Sequence, residues 1–159
     1  MLRNTLAGAL LLAAASPAFA AWFATTRSAP DGQEQVIGTL DDKNAVYLFC
    51  HGPNVLVAYV RTGLPDVFKE KMETPEGLVQ VDGLPERKSP AVESFEDGNL
   101  TARFPLPEGA LKDLSNAVQK VRIALLSQGK VLHEAEFTAT FAADRAKEFA
   151  RKCDLTKNL

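Results

Sequence analysis

Ala45-Val46-Tyr47-Leu48-Phe49-Cys50 and Val55-Leu56-Val57-Ala58-Tyr59-Val60 are two almost unbroken apolar runs joined by His51-Gly52-Pro53-Asn54. Both are short and rich in β-branched and aromatic residues, and the Gly-Pro pair between them marks a chain reversal, so they read as a β-hairpin. Their outward positions are as apolar as their inward ones. Such strands are expected to be covered on both faces. No long helices alternate with strands elsewhere, which excludes a parallel, doubly wound sheet.

Working outward, Trp22 to Arg27 and Gln35 to Leu40 flank the turn sequence Ser28-Ala29-Pro30-Asp31-Gly32 and read as two peripheral strands. Val92 to Phe95 and Leu100 to Phe104 flank Glu96-Asp97-Gly98-Asn99, where Asp-Gly favours a tight turn. Val121 to Leu125 and Val131 to Phe137 flank Ser127-Gln128-Gly129-Lys130 and form another hairpin. Pro107 suits a first helical turn, and Leu111, Leu114 and Val118 recur at spacings of three and four, so a short helix is expected near 107–118. Ala142, Ala146, Phe149, Ala150 and Cys153 make one face of a closing helix near 141–153 that Thr140 can cap. The sum is a mainly β (α+β) fold: one antiparallel β-sandwich or curved sheet of about eight or nine strands with two helices.

Between Arg61 and Pro90 the texture changes to prolines and charges, with Leu78 to Asp82 as the one strand-like piece. Loops are expected to project here. Phe68, Met72, Leu78 and Leu84 punctuate the charges and are the candidate partner-binding residues.

The first 20 residues differ again. A basic start at Arg3, an apolar run from Leu6 to Ala15, and Ser16-Pro17-Ala18-Phe19-Ala20 have the layout of a secretory signal peptide, with cleavage expected between Ala20 and Ala21. The run is about half the ~20 residues that a membrane-spanning helix needs, and no later stretch is longer. No twin arginine precedes it and no cysteine stands at the cleavage point. Residues 21–159 are therefore expected to form one periplasmic domain without a transmembrane segment. The two cysteines fit that address, because an even pair in an exported chain is most simply a disulfide, Cys50 to Cys153. The rival use of Cys50 with His51, as half a metal site or a nucleophile pair, fails because adjacent strand residues point to opposite faces.

Little catalytic inventory remains. His51 sits in a turn, and His133 shares a strand face with Val131, Ala135 and Phe137; no H-x-H, H-E-x-x-H or C-x-x-C spacing gathers metal ligands. No G-x-S-x-G or S-x-x-K surrounds a serine, and the ten glycines make no phosphate loop. Asp41-Asp42 reads as a solvated turn, and Glu134 and Glu136 share a wet strand face rather than opposing each other across a cleft. The slightly acidic charge, −2 overall, argues against nucleic acid. Neither metal nor cofactor is expected. Trp22 is expected to pack on the sheet, with an exposed partner anchor as the alternative.

Several positions also resemble a pattern of small exported proteobacterial proteins: Trp22, a strand ending in Cys50, Val79-Gln80-Val81-Asp82-Gly83, Leu111 to Leu114 before Val121-Arg122-Ile123, Phe137, and a closing helix with Cys153. The pattern resembles the invasion-associated locus B group and is similar in outline to a small periplasmic family associated with type VI secretion. The resemblance implies a β-rich fold with Cys50 and Cys153 joined and no catalytic residues. Together these readings lead to an exported, non-enzymatic binding or accessory protein whose partner is another envelope or exported protein. A stoichiometric inhibitor or chaperone-like partner of an exported enzyme is the alternative, and a small hydrolase the third.

Overall fold

Asn44–His51 and Asn54–Arg61 pair along their whole length, with Tyr47 opposite Ala58 and Cys50 opposite Val55, in the computed structural model of the chain, which describes residues 21–30, 32–51, 54–65 and 72–159. They are β3 and β4 of ten strands among the described residues. The others are β1 (Phe23–Ala29), β2 (Gly32–Leu40), β5 (Glu76–Val81), β6 (Arg87–Pro90), β7 (Val92–Glu96), β8 (Asn99–Pro105), β9 (Lys120–Ser127) and β10 (Lys130–Thr138). They form two antiparallel sheets, β1-β2-β3-β4-β8-β7 and β10-β9-β5-β6, with helices α1 (Ala110–Leu114) and α2 (Ala142–Lys152). The mainly β architecture expected of the sequence is the one observed. The expected signal segment 1–20, with Ala20, and the candidate Phe68 lie outside the described residues.

The core lies between the sheets. Val46, Leu48, Val57 and Tyr59 point inward and are buried, facing Val79, Val81, Ile123 and Leu125. Gly77 lies so close under the Phe104 ring that a Cβ there would overlap it, so the small residue sets how closely the sheets approach. The cover expected on both faces of β3 and β4 exists on the inner face only. Outward, Leu56 remains 39% exposed, and Tyr47 and Phe49 are half-buried by one another and by Phe23.

Two strands were not foreseen as a unit. Arg87-Lys88-Ser89-Pro90 reads as charged loop, yet it pairs with β5 at the sheet edge, and after Ala91 the chain enters β7 of the other sheet. An edge position tolerates its terminal proline. At the opposite side Trp22 ties β1 to β10: its backbone N–H donates to the Thr140 carbonyl at 3.0 Å and Nε1 to the Thr138 carbonyl at 3.1 Å. Trp22 is 1% exposed, so it packs as expected and is not a surface anchor.

Both helices differ in detail from their sequence reading. The first spans only Ala110–Leu114, and Val118 is 80% exposed instead of continuing its stripe. The cause is Asp82. Its carboxylate accepts the backbone N–H groups of Val118, Gln119 and Lys120 at 2.7, 2.8 and 2.8 Å and draws the chain into β9. Asp82 and Gly83 both have positive φ and Leu84 N–H closes the turn on the Val81 carbonyl, so the Val-Asp-Gly sequence is a tight turn that also holds a loop. Helix α2 buries Ala142, Ala146, Phe149 and Ala150 as the spacing predicts. Thr140 does not cap it: Phe141 occupies the cap position at φ 64°, and the Thr140 hydroxyl donates to Thr138 Oγ1 at 3.4 Å instead.

Candidate functional site

Cys50 is the last inward residue of β3, and Cys153 follows the last turn of α2. Their Cα atoms are 6.0 Å apart across a disulfide that spans 103 residues of sequence. Beyond it, Asp154 takes a left-handed conformation and Leu155 N–H donates to the Ala150 carbonyl at 2.7 Å, closing the helix and directing Leu155 into the core. A short 3-10 turn, Thr156–Asn158, then runs along the end of the sandwich.

That turn is one wall of a groove of about 790 Å³. Val55 and Leu56 of β4 and Leu106 after β8 form a second wall, and Leu111 of α1 and Leu155 lie in the floor. Asn54, Glu108, Lys112, Lys157 and Asn158, all exposed, stand at the rim. An apolar floor with a polar, net basic rim is the usual build of a site that takes a partly apolar ligand and orients it by a few polar contacts. The disulfide fixes the groove because it ties the β3–β4 end of one wall to the chain that forms the other. Sequence reading missed it. Its lining comes from three distant segments, and the available signal was Leu155 and Leu159, two apolar residues placed beyond the last helical stripe.

The residues proposed for a projecting loop fare differently. Leu84 is 43% exposed, but Met72 is 9% exposed and belongs to the main core. Leu78 is fully buried with Ala124 and Leu126 in a small second cluster on the far side of the four-stranded sheet. Met72 and Leu78 therefore serve packing and are not accessible to a partner. The strand expected at Leu78 is present, but it is central, flanked by β6 and β9, and this position within the sheet is what a Pro- and charge-rich neighbourhood did not reveal.

At the other end of β4 a polar cluster ties β4 to β3 and to the β2–β3 turn. Tyr59 Oη donates to Asn44 Oδ1 at 2.9 Å, Arg61 Nη1 donates to the same oxygen at 3.0 Å, and Arg61 Nε is buried without a hydrogen-bond partner. Burial pushes the Tyr59 phenol up to about 12, against the pull of Arg61. Burial, reinforced by the Arg61 charge, holds the His133 imidazole below its ordinary value. Burial also pushes the Asp41 carboxyl up, but N–H groups of Lys43 and Asn44, the Asn44 amide and Arg61 hold it below the usual range on balance. Asp41 thus builds the β2–β3 turn. His51 is described by its backbone pairing with Asn54 alone. Among the described residues no group of three or more His, Cys, Asp or Glu side chains is placed to hold a metal ion. No helix among them is long and apolar enough to cross a membrane.

No family model, curated protein or solved structure is found to match the chain.

Proposed function

We propose that this is an exported, non-enzymatic binding or accessory protein of the bacterial envelope, and that it holds a segment of another exported protein in the groove beside the disulfide. The groove carries this reading: its floor is apolar, its rim bears Lys112 and Lys157 against Glu108, and its walls are joined by a covalent bond. A segment with one or two apolar side chains and an acidic flank matches that surface. The joined cysteines are compatible with an oxidising compartment, and the signal-like sequence of residues 1–20 points the same way. The resemblance to the invasion-associated locus B group supports a binding role over catalysis.

The test is site-specific crosslinking in the envelope. A photoreactive residue at Lys157 should yield one discrete adduct, which the Lys112→Glu substitution reduces by about tenfold if the rim charges orient the partner. The same residue at Val118, on exposed surface outside the groove, should yield none. An identical adduct from both positions would assign the contact to general stickiness and end the groove assignment.

A further inference from the structure

The outward face of the six-stranded sheet has no cover from the described chain. Strand register places Phe23, Gly38, Tyr47, Ala58, Arg103 and Val92 in one row across it. The adjacent row carries Val36, Phe49 and Leu56 at its centre. Gly38 has no side chain to lift the rings beside it: a Cβ there would meet Tyr47 and Phe23. The face is also close to charge-neutral. Arg27 is paired with Glu34 at 2.6 Å and lies 4.0 Å over the Phe49 ring, which leaves Arg103 in the central rows and Glu96 at the end of the edge strand as its outlying charges, of opposite sign.

We propose that a second copy of this chain covers this face, with β3 of each copy packed over β4 of the other. Three observations select that occupant. A two-fold axis running along the strands between β3 and β4 sets Tyr47 over Ala58 of the second copy and Phe49 over its Leu56, so that a large ring meets a small residue in the first pair. The same operation sets Phe23 at one edge over Val92 at the other edge of the second copy, and Val92 is 74% exposed in the single chain. It also places each Arg103 above the hollow at Gly38 between two aromatic rings, where a cation is favoured, and keeps the two arginines apart. The area suffices for a modest dimer. Six strands about 4.8 Å apart and about 20 Å long present roughly 500 Å² a side, or about 1,000 Å² for the pair, the lower bound of a specific interface.

Sedimentation of residues 21–159, with the disulfide intact, over about a hundredfold range of concentration reads the association directly. A monomer–dimer equilibrium is expected. Val92→Arg, at an exposed edge position that the fold does not need, should weaken it by at least about tenfold, whereas Val118→Arg should not change it. A Phe23→Cys/Val92→Cys double variant gives an independent answer. Five strand spacings, about 24 Å, separate the two positions within one chain, so a disulfide between them forms only between copies. Oxidation should convert it to a covalent dimer, while a Val92→Cys/Val118→Cys control stays monomeric. A monomer at every concentration, a dimer indifferent to Val92→Arg, or a monomer that binds a glycan or a different protein through this face would overturn the proposal.

Discussion

The two outward sheet faces of this molecule are built on opposite plans. On the four-stranded sheet Arg122 pairs with Glu134 at 2.8 Å and with Glu86 at 2.9 Å, Lys120 pairs with Glu136 at 2.8 Å, and the apolar residues Leu78, Ala124 and Leu126 are sealed from water. On the six-stranded sheet the middle strands present Tyr47, Phe49 and Leu56, with ring centroids of Phe23 and Tyr47 6.3 Å apart and the Arg27–Glu34 ion pair at the side. The first face is finished in water. The second keeps apolar area exposed that a sandwich of this kind ordinarily replaces with polar side chains. A face that is complete alone and a face that gains by being covered respond differently to the same kind of change.

The largest effect tests the frame that both faces stand on. Replacing Cys50 and Cys153 by serine removes a cross-link over 103 residues, for which restriction of the unfolded chain predicts a loss of up to about 4–5 kcal/mol. Urea denaturation should show that loss. Below the unfolding transition, self-association should persist, since the bond lies on the inner side of the sheet. Loss of association in a still folded double serine variant would mean that the aromatic face depends on the groove end and is not an independent surface.

Next, two leucines separate the plans. Leu78 is 0% exposed and Leu56 is 39% exposed, although both belong to outward faces. Leu78→Ala should cost about 3 kcal/mol through lost burial and the cavity left behind, and Leu56→Ala less than about 1 kcal/mol in dilute, monomeric protein. Equal costs would show that the six-stranded sheet is as sealed as its counterpart. Asp82→Ala comes third: it frees three backbone N–H groups and puts alanine at φ 49°, for about 1–2 kcal/mol at a half-buried site. Hydrogen exchange should rise first at Val118 to Lys120. Burial pushes the Asp82 carboxyl up, but those three N–H groups hold it below its ordinary value on balance. Its stabilisation is therefore present above the unfolded carboxyl pKa and is lost as pH falls through the lower folded one.

How much of this was legible in the sequence follows from the range of the signals involved. The β3–β4 hairpin, the Asp97-Gly98 and Gln128-Gly129 turns and the alanine stripe of α2 are encoded within a few residues, and all were readable. The Cys50–Cys153 bond was readable because two cysteines in a chain with a signal-like start are most simply paired. The edge strand β6 was not, since its four residues take their conformation from β5 and not from their own pattern. The course of the chain after helix α1 was hidden for a similar reason, because the carboxylate that holds Val118 comes from Asp82, 36 residues before it. The groove was least legible of all: proximity of Leu56, Leu106, Leu111 and Leu155 is a product of the fold.

Where the two sheets meet at β4 and β10, a pH titration tests the seam. His133 has its folded pKa depressed by burial and by the Arg61 charge, so the unfolded chain binds its proton more readily. Stability should fall as pH drops below about 6.5, the ordinary imidazole value, and His133→Gln should flatten that slope. The carboxylates with lowered values, Asp41, Asp82 and Glu86, act in a lower window, below the ordinary carboxylate pKa, and leave this one clear. An unchanged slope in the glutamine variant would place the imidazole in water and open the seam.

The smallest effect concerns the finished face itself. Arg122 is 22% exposed and sits between two glutamates of two different structural neighbours, one in β10 and one in the turn before β6. Its hydrogen bond to Glu86 is the largest influence that holds that carboxyl below its ordinary value. Arg122→Met should cost no more than about 1 kcal/mol, because exposed pairs are screened and the methionine keeps the apolar stem in place. The cost should shrink further in high salt, and the Glu86 carboxyl should titrate closer to its ordinary value, as NMR would register. The informative part is the comparison with Val92→Arg. If charge on the four-stranded sheet serves to keep that face in water, Arg122→Met leaves association through the aromatic face untouched, while Val92→Arg abolishes it without touching stability. Two substitutions of similar size would then separate a surface designed to stay wet from one that gains by being covered. If instead both shift association equally, the contrast between the two faces carries no consequence in solution.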